Sequence, residues 1–203
     1  MSFSKEEACS CYISLGSDCS VSYQLRQLGL QNHGTMPFDW MRIDNLQNVI
    51  SILEAGFSEF AKFESYNIKQ QSIAFDYFDS NSEDCVSIKS QCRMVHTKYK
   101  FILPHEYQDL MINTGSFQEK YSRRISRFLE IGRNQKVYKV FVRLGHTKEL
   151  ELIENLQSAL DKLGIVNYEI KYIILEEWAG VIPNDEPFLW QRDYIPWKQI
   201  LIL

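Results

Sequence analysis

Cys19 is the side chain whose type and setting most directly allow chemistry. It follows the short apolar run Tyr12-Ile13-Ser14-Leu15, which Gly16-Ser17-Asp18 breaks, and it opens a segment with Val21, Leu25 and Leu28 on one helical face. The pattern reads as strand, tight turn, helix, with Ser17 or Asp18 as N-cap and the helix starting at Asp18 or Cys19. A residue there lies at the carboxyl end of a strand, where open α/β sheets place their ligands. Backbone N–H groups of the first helical turn can hold an oxyanion, and the positive end of the helix favours a thiolate. Asp18 opposes that effect unless it is turned away as a cap. A small cysteine buried in the helix–strand seam fits the same spacing equally well.

A nucleophilic thiol needs a base, and the chain has four histidines. His33 lies in the loop His33-Gly34-Thr35-Met36-Pro37 and reads as a surface residue. His96 falls inside a strand-like run and could face solvent. His105 stands in Leu103-Pro104-His105-Glu106-Tyr107, directly after an apolar strand. His146 follows Phe141-Val142-Arg143-Leu144-Gly145, at the carboxyl end of another strand. The residues alone do not choose among them.

Other chemistries fit less well. Cys9-Ser10-Cys11 and the pair Cys85 and Cys92 lack the CxxC spacing of zinc sites. No Walker loop or GxGxxG occurs, and Gly16-Ser17-Asp18 has too few glycines for a phosphate loop. An esterase of the Gly-Asp-Ser type would place serine where this chain has Gly-Ser-Asp-Cys, and no Asp-x-x-His stands near the end. No metal or other cofactor is implied.

The elements that must position these residues follow from periodicity and breakers. Helices are expected over 44–55, with Leu46, Val49, Ile50 and Leu53 as apolar stripe and Gly56 as stop, over 116–131 ending at Gly132, and over 148–163 ending at Gly164. Strands are expected over 94–103, as one or two pieces, over 137–142 and over 168–175. Residues 137–175 have the length of a parallel βαβ unit. The tail 198–203 reads as an edge strand. Residues 57–90 are the least regular part, a candidate insertion, with Ile73-Ala74-Phe75 as a short strand and an acidic loop over 79–84. An α/β layered sheet in one domain, 1–203, is the most economical fold.

The totals agree with such a domain. The chain has 203 residues, 45% hydrophobic and 24% charged, which suits a globular protein with a sizeable core. A net charge of −4 offers no nucleic-acid footprint, and the basic stretch 120–133 is interrupted by Glu130 and reads as the solvated face of a helix. Residues 1–8 are polar, so no signal peptide is expected, and no run reaches the ~20 apolar residues of a membrane span. A cytoplasmic location is expected, with the five cysteines reduced. Membranes and nucleic acids are not expected partners.

Three blocks in order, Ile13-Ser14-Leu15-Gly16-Ser17-Asp18-Cys19, Leu25-Arg26-Gln27-Leu28-Gly29-Leu30 and Pro37-Phe38-Asp39-Trp40, resemble the opening of a domain-of-unknown-function family of bacteria and poxviruses. That family is described as papain-like cysteine peptidases. His105-Glu106-Tyr107, the helix around Tyr121–Phe128 and Phe141-Val142-Arg143 resemble its later blocks, and the stretch around Trp190 and Trp197 resembles its end more loosely. The resemblance implies a nucleophile at Cys19, a base at His105 and, as an alternative to the layered sheet, an α+β papain-like fold.

Three functions compete. The first is a thiol-dependent hydrolase or acyltransferase acting on a peptide, acyl or small-molecule substrate, with Asp39 or Glu106 orienting the His105 imidazole. Asp39 reads equally well as a cap or turn residue beside Trp40. Gly16, Ser17, Asp18, Trp40, Arg143 and His146 are the candidate substrate-binding residues. The second is a phosphate- or nucleotide-sugar-handling enzyme that uses the helix N-terminus with Arg143 and His146. The third is a non-catalytic binding domain with a partner patch at Trp178, Trp190, Tyr194 and Trp197.

Overall fold

The computed structural model describes residues 10–71, 75–78, 85–88, 91–104, 114–181 and 190–202. Its centre is a three-stranded parallel sheet of β1 (Ser10–Ser14), β7 (Tyr138–Gly145) and β8 (Tyr168–Ile174), with β7 in the middle. The expected βαβ unit is present: a 3-10 turn (Thr147–Leu152) and helix α4 (Ile153–Lys162) connect β7 to β8. Alternation along β7 explains the layers. Val140, Val142 and Leu144 face the side that carries α1 (Cys19–Gln27) and α5 (Trp197–Ile202), while Phe141 faces α2 (Leu46–Glu54), α3 (Thr114–Arg133) and α4.

Between α2 and α3 the chain makes an antiparallel excursion. The strands β2 (Tyr66–Gln71), β5 (Gln91–His96) and β6 (Ile102–Leu103) form one sheet, and β3 (Phe75–Phe78) pairs with β4 (Cys85–Ile88). Parallel and antiparallel sheets thus occur together in a mixed α/β architecture. Three strands cross residues 57–90, the stretch expected to be an insertion or the least regular part. These strands run only four to six residues, too short for their period to decide. Residues 73 and 74 of the expected strand, and the loop 79–84, lie outside the described residues.

Three helices end on the same device. Gly29, Gly56 and Gly164 all have positive φ, at 69°, 57° and 76°. In each, the residue after the glycine donates its N–H five positions back, from Leu30 to Leu25 O, Phe57 to Ile52 O and Ile165 to Leu160 O. This is a Schellman closure, and it satisfies carbonyls that would otherwise be orphaned. The expected edge strand in the tail is instead helix α5. Trp197 and Leu201, four residues apart, are its buried positions, and Tyr12 Oη donates to Leu201 O at 2.8 Å. The apolar run there is too short for its period to be told from a strand.

Candidate functional site

The strand-to-helix turn is built from strained and closely packed backbone. After β1, Leu15 N extends the ladder to Val142 O at 2.9 Å. Gly16 (φ 77°) and Ser17 (φ 124°) then turn in the left-handed region. A Cβ on Gly16 would drive into Ile43 Cγ2, so the turn needs glycine for space as well as for conformation. Ile43 N donates to Ser17 O at 2.8 Å and fixes the outside of the turn. Asp18 is the N-cap of α1: its Oδ1 accepts from Ser20 N at 2.9 Å and also from Ser20 Oγ.

Cys19 is the first residue of α1 and is half-buried. Burial first, and the Asp18 carboxylate second, push its thiol up to about 12. The resting group is therefore a neutral thiol. Neither Cys19 nor Cys11, which is buried in β1, is in a disulfide.

The other candidate residues divide between the mouth of the sheet and the interior. Asp39 is buried and accepts from Ser22 Oγ at 2.9 Å, Gln31 Nε2 at 2.7 Å and Met36 N at 2.7 Å. Burial raises its pKa against these bonds and the charge of Arg124. With Trp40, whose N–H donates to Ser22 Oγ at 3.3 Å, it ties the loop before α2 to the middle of α1. Trp40 itself is half-buried at φ 61°.

Arg143, expected at the mouth, is wholly buried. Its Nη1 donates to Ile43 O at 3.0 Å and Leu15 O at 3.4 Å, and its Nη2 pairs with Glu149 at 3.2 Å. Glu149 also accepts from Leu46 N and from Tyr172 Oη, at 2.8 and 2.9 Å. Arg143 thus holds the turn before Cys19 from beneath.

His146 stands exposed at the carboxyl end of β7, its Nδ1 3.0 Å from Glu176 Oε1. His33 is half-buried in its loop. His96, expected to face solvent, is buried among Tyr66, Tyr99 and Phe101. Its Nδ1 accepts from Lys98 N and Tyr99 N, which leaves the Nε2–H to donate to Glu59 O. His105 and Glu106 lie outside the described residues. Among the described residues no group of three or more His, Cys, Asp or Glu gathers as metal ligands, and no helix is long and apolar enough to cross a membrane.

One part of the site gave no local signal. The C-terminal arm, 190–197, packs on the first turns of α1. Arg192 grips Asp18 Oδ2 with Nε at 3.0 Å and Nη2 at 2.8 Å. Gln24 Nε2 donates to Gln191 O at 2.8 Å, and Trp190 meets Tyr23 edge to face at 5.2 Å. Arg192 lies 174 positions from Asp18, and only the aromatic richness of the arm hinted at a role.

Comparison with known proteins bears on this arrangement. A family model described as "Putative papain-like cysteine peptidase (DUF1796)" matches residues 10–176. An uncharacterized protein, R408, of Acanthamoeba polyphaga mimivirus is 29% identical over 222 residues, covering 94% of this chain and 96% of that protein. No solved structure matches.

Proposed function

The chain belongs to the family described as "Putative papain-like cysteine peptidase (DUF1796)", and from that membership we propose a thiol-dependent acyl hydrolase or transferase with Cys19 as nucleophile and His105 as base. The observation that carries the reading is the place of Cys19, at the first position of α1 and the carboxyl edge of the parallel sheet. A reducing cytoplasm suits such a thiol.

The setting of the thiol shapes the mechanism. A group pushed up to about 12 holds no standing thiolate at neutral pH. The base must take the proton as sulfur attacks the carbonyl carbon, in the manner of a serine nucleophile. The oxyanion of the tetrahedral intermediate then faces the N-terminus of α1. Collapse expels the leaving group, which receives the proton from His105. Water, or another acceptor nucleophile, then gives a proton to His105 as it attacks the thioester, and His105 passes that proton to the departing sulfur.

The test is alkylation of Cys19 by iodoacetamide across pH, in the wild type and in His105→Ala. The expected result is a neutral-pH rate above what a thiol titrating near 12 allows, falling in His105→Ala. Identical titration in both proteins sinks His105 as base. A folded Cys19→Ala variant that keeps full turnover on a panel of activated esters and peptide anilides sinks the nucleophile.

A further inference from the structure

Asp18 presents a contradiction within the site. As N-cap it is needed to start α1, yet its charge sits beside the thiol and raises it. With an acidic cap here, the charge acts on the thiol unless a cation meets it where it stands. The two oxygens are divided accordingly. Oδ1 serves the helix, through Ser20 N and Ser20 Oγ, and Oδ2 takes both Nε and Nη2 of Arg192.

The guanidinium is not a loose surface partner. Arg192 sits at φ 55°, in the left-handed region that a non-glycine residue enters at a cost. Its carbonyl accepts from Trp197 Nε1 at 2.8 Å and from Ile195 N at 3.1 Å. Its Nη1 donates to Tyr194 Oη at 3.1 Å, and the preceding carbonyl is held by Gln24. The Arg192 and Asp18 side chains are each only 23% exposed, so solvent screens the pair incompletely. These contacts fix one side chain in one orientation against one oxygen. The residues matched by the family model end at 176, so the arm that supplies Arg192 lies beyond them.

We propose that Arg192 is a positioning residue for Cys19: by pairing with the outer oxygen of Asp18 it limits the effect of an acidic cap on the neighbouring thiol. The inference rests on the reading of Cys19 as nucleophile, and it assigns the C-terminal arm to the active site. Among the described residues, the charged and titratable groups at this end of α1 are Asp18 and Tyr23, with Arg192, Asp193 and Tyr194 on the arm, and Arg143 beneath the preceding turn. Asp193 is bonded to Gln24 and Arg143 to Glu149, and Arg192 is the cation that meets Asp18.

The experiment compares the rate of iodoacetamide alkylation of Cys19 from pH 7 to 10 in the wild type, Arg192→Gln, Arg192→Lys, Asp18→Asn and the double variant Asp18→Asn/Arg192→Gln. Circular dichroism selects the variants that fold. Loss of a single charge near a half-buried thiol is worth roughly a threefold to tenfold change in rate below the thiol pKa. Arg192→Gln is expected to slow alkylation by that factor, and Arg192→Lys to restore most of it. Asp18→Asn, which keeps a good cap, is expected to speed it. In the Asp18→Asn background Arg192→Gln is expected to do much less. An unchanged rate in Arg192→Gln overturns the proposal, as does an equal effect with and without the Asp18 charge. Should Arg192→Gln fail to fold, the absence of any rise in Asp18→Asn overturns it too. The thiol titrates whether or not it is catalytic, so failure of the Cys19 nucleophile shows separately, as turnover surviving in Cys19→Ala.

Discussion

His96 shows what burial does to a histidine that sequence leaves open. The ring is enclosed by Tyr66, Tyr99 and Phe101, with both nitrogens committed to backbone groups. Protonation would place a second N–H where Nδ1 now accepts two. Burial, with Lys98 and Lys100 nearby, holds its pKa below the ordinary 6.5 despite Glu59. Because the folded value lies below the unfolded one, the neutral ring's contribution is intact above about pH 6.5 and is lost as pH falls from there through the folded value. His96→Gln is therefore expected to be less stable at pH 7.5 but to lose less on going to pH 5. Urea midpoints at the two pH values measure this, and equal losses in both proteins would remove His96 from the acid response. Cys19 makes the opposite point. Its place at a helix start was legible from residues 12–28, and so was the opposing charge of Asp18, but the burial that lifts its thiol most was not, because it depends on the packed fold.

At the scale of elements, legibility followed the range of the forces involved. The stops at Gly29, Gly56 and Gly164 were readable because each helix end is a local exchange of backbone hydrogen bonds that glycine permits. The amphipathic helices were readable from their periods, and β7 and β8 from their runs of β-branched and aromatic residues. Of the strands after α2, β5 and β6 were read within 94–103, but β2 was not, since its pairing partners stand 20 to 30 positions away in an antiparallel sheet. The tail reads as a strand in sequence because six residues give too little period to decide.

Two glycines separate conformation from packing. Gly29 has positive φ but nothing within 4 Å of where a Cβ would stand, whereas Gly16 has both positive φ and Ile43 in the way. Gly29→Ala is expected to cost about 1–2 kcal/mol, the strain of a left-handed L-residue. Gly16→Ala is expected to add about 1–3 kcal/mol of overpacking. It should also change Cys19 alkylation, which Gly29→Ala should leave alone. Chemical denaturation with parallel alkylation distinguishes them, and equal costs would mean that the turn at Gly16 relaxes freely.

At the scale of the whole molecule, the carboxyl edge of the sheet is held by one buried ion pair. Arg143 on β7 bonds the β1–α1 turn through Leu15 O and the segment leading into α2 through Ile43 O. Glu149, in the turn after β7, caps Leu46 N and takes Tyr172 Oη from β8. Sequence placed Arg143 at this edge but not its direction, inward rather than toward a ligand, because the carboxylate that draws it in arrives from the following turn. Such a pair is weak evidence of net stability, but breaking it leaves a charge stranded in the interior. Arg143→Met is expected to cost about 3–5 kcal/mol, since Glu149 then keeps only its neutral donors. Glu149→Gln strands Arg143 but keeps an acceptor for Leu46 N, so it should cost less. The double variant Arg143→Met/Glu149→Gln holds no stranded charge and should be more stable than the sum of the two losses by about 1–3 kcal/mol. A urea double-mutant cycle measures that coupling. Strict additivity would show that the two side chains act separately, with Arg143 serving the turn before Cys19 and Glu149 serving α2, and that the edge is not held as one unit.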